Sequence, residues 1–182
     1  MDFVSRAGQK LEHALQTFGI SVADAVVADL GCSTGGFTDC LLTRGARKVY
    51  AVDTGYGVLD WKLRQDERVV VLERQNALHV ELPELVQFVS VDVSWTPQRL
   101  IVPRALALLG ESGDIVSLLK PHYEAPKQLI RKGLLPEAFV DETVQNVVGQ
   151  LSDAGISVRQ VERSPITGKK KENAEFLLWI TK

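Results

Sequence analysis

The sequence predicts an α/β domain built on a doubly wound, mostly parallel sheet. Short runs that are apolar throughout, such as residues 25–30 and 48–52, alternate with segments of helical periodicity. Runs of that kind suit strands covered by helices on both faces. Charged residues fall at the ends of several of these runs: Asp29, Asp53, Asp92 and Lys120. Such sheets bind ligands at the carboxyl ends of their strands, around the switch in strand order. A glycine-rich stretch, residues 31–36, joins the first run to the helix that follows it.

Taken in order, the elements begin with a leading helix inside residues 1–20. Leu11, Ala14, Leu15 and Phe18 recur at i, i+3, i+4 and i+7. Ser5 is placed to cap the start and Gly19 to stop the helix. Strands are expected at 25–30, 48–52, 68–72, 88–93 and 114–119, the last ending at Lys120-Pro121. Helices are expected over 37–44, 97–109 and 137–154, the last through Phe139, Val144, Val147, Val148 and Leu151. Two closing strands, 156–161 and 175–180, flank the turn-rich Ser164-Pro165-Ile166-Thr167-Gly168. No repeat, low-complexity tract or linker divides the chain, so residues 1–182 read as one domain.

Bulk composition excludes several classes. With 45% apolar and 24% charged residues the chain is an ordinary globular sequence. No apolar stretch approaches the length of a membrane span, and the N-terminus lacks a signal-peptide layout, so a cytoplasmic protein is expected. Cys32 and Cys40 have neither a disulfide framework nor a metal-ligand spacing around them, and no metal is expected. The net charge of −2 permits nucleic-acid binding without suggesting it. Basic residues nevertheless gather at Lys127, Arg131 and Lys132, and again at Arg159, Arg163, Lys169, Lys170 and Lys171. Runs of that kind are commonly solvated surface.

The loop reads Asp29-Leu30-Gly31-Cys32-Ser33-Thr34-Gly35-Gly36-Phe37. Its spacing is G-x-x-x-G-G, not the dinucleotide G-x-G-x-x-G, and no Gly-Lys-Ser/Thr follows as in a phosphate loop. Asp29 would repel a pyrophosphate, which argues against a dehydrogenase. It suits a cationic ligand such as S-adenosylmethionine (SAM), whose ammonium a carboxylate can accept. Asp53, ending the second strand, suits ribose hydroxyls. Glycines serving only a tight turn are the plainer alternative. Asp92, Lys120 and Glu175 stand at three further strand ends, where a Lys flanked by two carboxylates is useful. A hydroxyl nucleophile must be aimed and relieved of its proton. Lys120 then acts as base or as fixed cation, unless it is merely a snorkelling surface Lys.

At these residues the sequence resembles the TlyA/FtsJ-like RNA 2′-O-methyltransferases, including haemolysin A-like members. The resemblance runs in order through Ser5-Arg6-Ala7-Gly8-Gln9-Lys10-Leu11, the glycine loop, Ala51-Val52-Asp53-Thr54-Gly55-Tyr56-Gly57 and Trp61-Lys62-Leu63-Arg64. It continues through Val91-Asp92-Val93-Ser94-Trp95, Leu119-Lys120-Pro121, Ser164-Pro165-Ile166-Thr167-Gly168 and Glu175-Phe176-Leu177-Leu178-Trp179. It implies a Rossmann-like, seven-stranded SAM-dependent methyltransferase sheet with its last strand antiparallel. It implies a catalytic tetrad of Lys10, Asp92, Lys120 and Glu175. For SAM it implies Asp29, Gly31, Ser33, Gly35, Gly36, Phe37, Asp53, Asn76 near the adenine, and Asp92. The implied partner is RNA, namely ribosomal RNA or a ribosomal subunit. TlyA-like members carry a small RNA-binding module ahead of this domain; the chain begins almost at Ser5-Arg6, so that module is not expected within it. Lys169, Lys170 and Lys171 are candidates for phosphate contacts, and Trp95 for stacking on a base or packing on its own loop. A non-catalytic SAM- or RNA-binding protein is the alternative, against which an intact tetrad argues. No amphipathic membrane-binding helix supports a haemolytic role.

Overall fold

The computed structural model describes residues 3–166 and 173–182. Strands β1 (Val26–Leu30), β2 (Lys48–Val52), β3 (Val69–Leu72), β4 (Val86–Val91), β5 (Leu109–Leu119), β6 (Ser157–Arg163) and β7 (Phe176–Thr181) form one sheet. Their order is β3-β2-β1-β4-β5-β7-β6. β1 pairs in parallel with both β2 and β4, and β7 is antiparallel to β5 and β6. The expected sheet, with its last strand antiparallel, is therefore present.

Two cores explain why the central strands are mostly apolar. On one face Val27, Val49, Phe88 and Val116 pack with Leu11 and Leu15 of helix α1 (Ala7–Phe18) and Phe37 and Leu41 of α2 (Gly36–Thr43). On the other, Ala28, Leu30, Val89 and Ile115 pack with Ile101 and Val102 of α4 (Gln98–Leu108) and Val147 and Leu151 of α6 (Val140–Asp153). Every residue of β1 is buried. Successive side chains of a strand point to opposite faces, so a strand between two helical layers has no polar face. Two short helices, α3 (Trp61–Arg64) and α5 (Pro121–Glu124), were not legible as separate elements.

Several boundaries differ from expectation. β4 ends at Val91, leaving Asp92 just beyond the strand rather than within it. β5 begins at Leu109, directly after α4, because Leu109 pairs with Val86 before a register shift brings Asp114 opposite Phe88. The expected helix over 137–154 opens with a 3-10 turn, Glu137–Phe139, and becomes α-helical at Val140. Ser5 does not cap α1: Arg6 flanks the helix with helical dihedrals and no side-chain cap. The Ser5 side chain instead packs against Gly36, where an added Cβ would collide with Ser5 Oγ. Gly19 does stop α1, at φ +67°, with the Ile20 N–H donating to Leu15 O. Thr167, Gly168, Lys169, Lys170 and Lys171 lie outside the described residues.

Strand order reverses at β1, whose neighbours β2 and β4 lead the chain to opposite sides of the sheet. The carboxyl ends of β1 and β4 therefore border the switch-point crevice.

Candidate active site at the carboxyl edge of the sheet

A cavity of about 300 Å³ opens at that edge, within the range typical of small-molecule sites. Its wall brings together Lys10 of α1, Asp92 and Lys120, which directly follow β4 and β5, and Glu175, which directly precedes β7. Gly31, Cys32, Ser33, Thr34 and Phe37 of the glycine loop line it too. Ser94, Ile166 and the α1 approach (Ser5, Arg6, Ala7) complete it.

The four charged residues form two pairs. Lys10 Nζ donates to Glu175 Oε2, with the residues 8% and 5% exposed. Lys120 Nζ donates to Asp92 Oδ1 at 2.5 Å and to the Val93 carbonyl at 3.4 Å. Sequence reasoning placed one Lys between two carboxylates; the structure gives each carboxylate its own Lys. Breaking a buried pair leaves an uncompensated charge, which is strongly destabilising. Lys10 is the residue that reading without the resemblance misses. A signal existed: Lys10 stands four residues before Ala14, on the buried stripe Leu11-Ala14-Leu15-Phe18.

Gly31 explains how Asp92 reaches this position. At φ +86° its α-carbon lies against the chain after β4, and a Cβ there would fall 2.5 Å from Asp92 O. Without a side chain, the ends of β1 and β4 close together. Ser33 follows at φ +50°, a left-handed conformation that a non-glycine residue adopts at a cost. Its N–H donates to Asp53 Oδ2 at 2.8 Å, and the Gly55 N–H donates to Asp53 Oδ1 at 2.7 Å. Asp53 thus ties the glycine loop to the segment after β2.

Other expected cofactor residues stand behind the wall. Asp29 is fully buried beneath the loop. Thr38 Oγ1 donates to its Oδ2 at 2.7 Å and Ser90 Oγ to its Oδ1 at 2.9 Å. Burial pushes its carboxyl up to about 7, against the pull of those hydroxyls. Asp29 itself does not line the cavity. Thr38 and Ser90, which sequence reasoning missed, are its partners. Gly36 gives the backbone room: a Cβ would lie 2.8 Å from Gly8 N, so this glycine seats α1 on the loop. Asn76 is exposed, with Oδ1 accepting from the Leu78 N–H at 2.9 Å. Gly35, Asp53 and Asn76 do not line this cavity. Burial raises the Cys32 and Cys40 thiols well above their ordinary range, which disfavours the thiolate form. Trp95 is 80% exposed at φ +66°, its ring 4.6 Å from that of Tyr123. It is thus a rim residue packed on a neighbour, with most of its surface open.

Residues 3–182 match the family model described as FtsJ-like methyltransferase. The chain belongs to this family. YqxC of Bacillus subtilis, provisionally named an rRNA methyltransferase, is 42% identical over 98% of this chain and 65% of its own length. The TlyA protein of Mycobacterium tuberculosis H37Rv, named a 16S/23S rRNA (cytidine-2′-O)-methyltransferase, is 39% identical over 98% of this chain and 68% of its own. A structure from Streptococcus thermophilus, described provisionally as a hemolysin, superposes with a TM-score of 0.94 at 41% identity, covering 100% of this chain and 68% of that one. The FtsJ-like domain thus spans about two thirds of these relatives.

Proposed function

We propose that this FtsJ-like domain transfers a methyl group from SAM to a ribose 2′-hydroxyl of ribosomal RNA, in the cytoplasm where that RNA resides. The observation that carries the reading is the pair of Lys–carboxylate contacts, Lys10–Glu175 and Lys120–Asp92, in one cavity at the switch point. The names of YqxC and TlyA support the choice of RNA as acceptor.

The site suits SAM. Gly31, Cys32, Ser33, Thr34 and Phe37 of the glycine loop line, with Asp92, a cavity of about 300 Å³, which has the size and mixed polar and apolar wall of a small-cofactor site. Gly31, Ser33, Phe37 and Asp92 would hold it, with Asp53 fixing Ser33 from behind. When bound, SAM supplies a methyl group on a sulfonium, open to in-line displacement. The chain's own residues aim the acceptor. A lysine Nζ offers three donors and no acceptor. Lys10 gives one to Glu175, leaving two; Lys120 gives two, to Asp92 and Val93 O, leaving one. These remaining N–H groups orient the hydroxyl oxygen and stabilise the negative charge it develops, and as the new O–C bond forms and the S–C bond breaks the hydroxyl proton leaves to the neighbouring Asp92 or Glu175 carboxylate and on to water. Asp29 and Asp53 hold the floor and the glycine loop in place.

The test is tritiated methyl transfer from SAM to ribosomal RNA and to isolated subunits, followed by alkaline hydrolysis. Label in an alkali-resistant dinucleotide is expected, because a 2′-O-methyl group blocks cleavage of the next phosphodiester. Label released as a methylated base, or no transfer with either substrate, overturns the reading.

A further inference from the structure

We propose that the loop following α5, residues 126–136, is a docking surface for the RNA backbone beside the target nucleotide, with Lys127 and Arg131 as its phosphate contacts. The inference rests on the chain acting on RNA and adds a surface that the catalytic cavity does not include.

Four observations lead there. First, the loop is rigidly mounted. Leu129, Ile130 and Leu135 pack against the α4/α6 core. Buried Asn173 clamps the loop from β7's side, its Oδ1 accepting from the Leu135 N–H at 3.1 Å and its Nδ2 donating to Gly133 O at 3.0 Å. Second, that clamp fixes its location. Asn173 stands two residues before Glu175, and the loop itself begins six residues after Lys120. Both of its attachments therefore lead into the catalytic tetrad. Third, its tip is shaped. Arg131 and Leu134 exchange backbone hydrogen bonds at 2.8 and 2.9 Å. The two residues between them, Lys132 and Gly133, both have positive φ, +50° and +81°. A lysine held left-handed costs about 1 kcal/mol that Gly or Asn would avoid, so a basic residue at this tip is not what the turn alone selects.

Fourth, the charge is available. Lys127 and Arg131 are exposed. Among the described residues, Lys127 and Arg131 make no ion pair, whereas Arg44, Lys48, Arg64, Arg68 and Arg163 each sit on a carboxylate. In a chain of net charge −2, uncommitted cations on a loop that follows Lys120 and is tied through Asn173 to the chain just before Glu175 are an electrostatic footprint for phosphate. Such contacts position the RNA and carry no sequence information.

The test compares Lys127→Gln, Arg131→Gln and the double variant with Arg47→Gln. Arg47 immediately precedes β2, at the opposite edge of the sheet, and controls for loss of one charge. Binding of a fluorescein-labelled single-stranded RNA is followed by anisotropy across a salt series, with SAM affinity by calorimetry and methyl transfer to ribosomal RNA alongside. The loop variants are expected to weaken RNA binding several-fold and to lower the log K against log salt slope by about 1 per charge removed. The RNA KM rises, while SAM affinity and kcat at saturating RNA stay at the native level. Arg47→Gln changes none of these. Native RNA affinity and native salt slope in the double variant overturn the proposal, as does an equal loss in Arg47→Gln. If the native chain transfers no methyl group but its RNA binding still depends on Lys127 and Arg131, the docking surface stands and the proposed activity falls.

Discussion

Replacing Gly31 with Ala tests the close approach that builds the site. Gly31 sits at φ +86°, and an added Cβ would lie 2.5 Å from Asp92 O and 2.9 Å from Asp92 C. Both are backbone atoms, so no side-chain rotation relieves the clash. The left-handed conformation costs an L residue about 1–2 kcal/mol. Forcing apart two packed backbones adds about 1–3 kcal/mol, and stiffening the unfolded chain offsets about 0.4–1 kcal/mol. The net expectation is a loss of about 3 kcal/mol. Gly19→Ala supplies the control, because Gly19 has φ +67° with nothing within 4 Å of an added Cβ. It should lose about 1 kcal/mol. Urea unfolding followed by circular dichroism measures both, read as a midpoint shift at constant m. Moving the Asp92 backbone also drags its carboxylate from Lys120, so Gly31→Ala should lose methyl transfer while Gly19→Ala keeps it. Losses that agree within about 0.5 kcal/mol, with transfer equal in the two variants, would refute the close-approach argument.

Three other expectations follow from the site. Lys120→Ala should lower kcat for methyl transfer at least ~100-fold with SAM affinity within a few-fold by calorimetry; loss of SAM binding would remove Lys120 from the catalytic role. Asp53→Asn leaves one of two backbone N–H groups without its acceptor, costs about 2 kcal/mol and weakens SAM binding, so unchanged calorimetric affinity contradicts its placement. Asp29→Asn tests the buried carboxyl. The folded state holds the Asp29 proton to about pH 7, whereas the unfolded chain releases it near 3.8. Below pH 4 the group is protonated in both states and costs nothing. As pH rises toward 7 the native chain loses on the order of 4 kcal/mol, and above 7 the loss is constant. The Asn variant lacks this loss, so its stability relative to the native chain should climb between pH 4 and 7 in urea titrations; parallel profiles would show that Asp29 ionises freely.

The parallel sheet was legible because its cause is local. Apart from Asp29 and Lys48, β1 and β2 are apolar on both faces, as strands buried between two helical layers tend to be. The carboxylates and lysine at strand ends were legible for the same reason, since all parallel strands finish at one edge. Boundaries were less legible where pairing decides them. β5 starts at Leu109 because Val86 is its partner, a relation between residues distant in sequence. Ser5 looked like a cap, yet its side chain is spent on Gly36, which only the packing of α1 on the glycine loop reveals.

Sequence by itself determined the architecture, the glycine loop and the strand-end residues Asp92, Lys120 and Glu175 that line the cavity. Tertiary structure alone decided which lysine meets which carboxylate. It also decided that the Asp29 carboxylate is buried beneath the glycine loop, held by Thr38 and Ser90. The physical reason is that strand and helix periodicities fix which way a side chain faces, whereas pairing and burial depend on what the rest of the fold brings opposite it. Lys10 shows the difference most clearly: its place on an apolar stripe is written in α1, but its partner, Glu175, lies 165 residues away and meets it only when the sheet is complete.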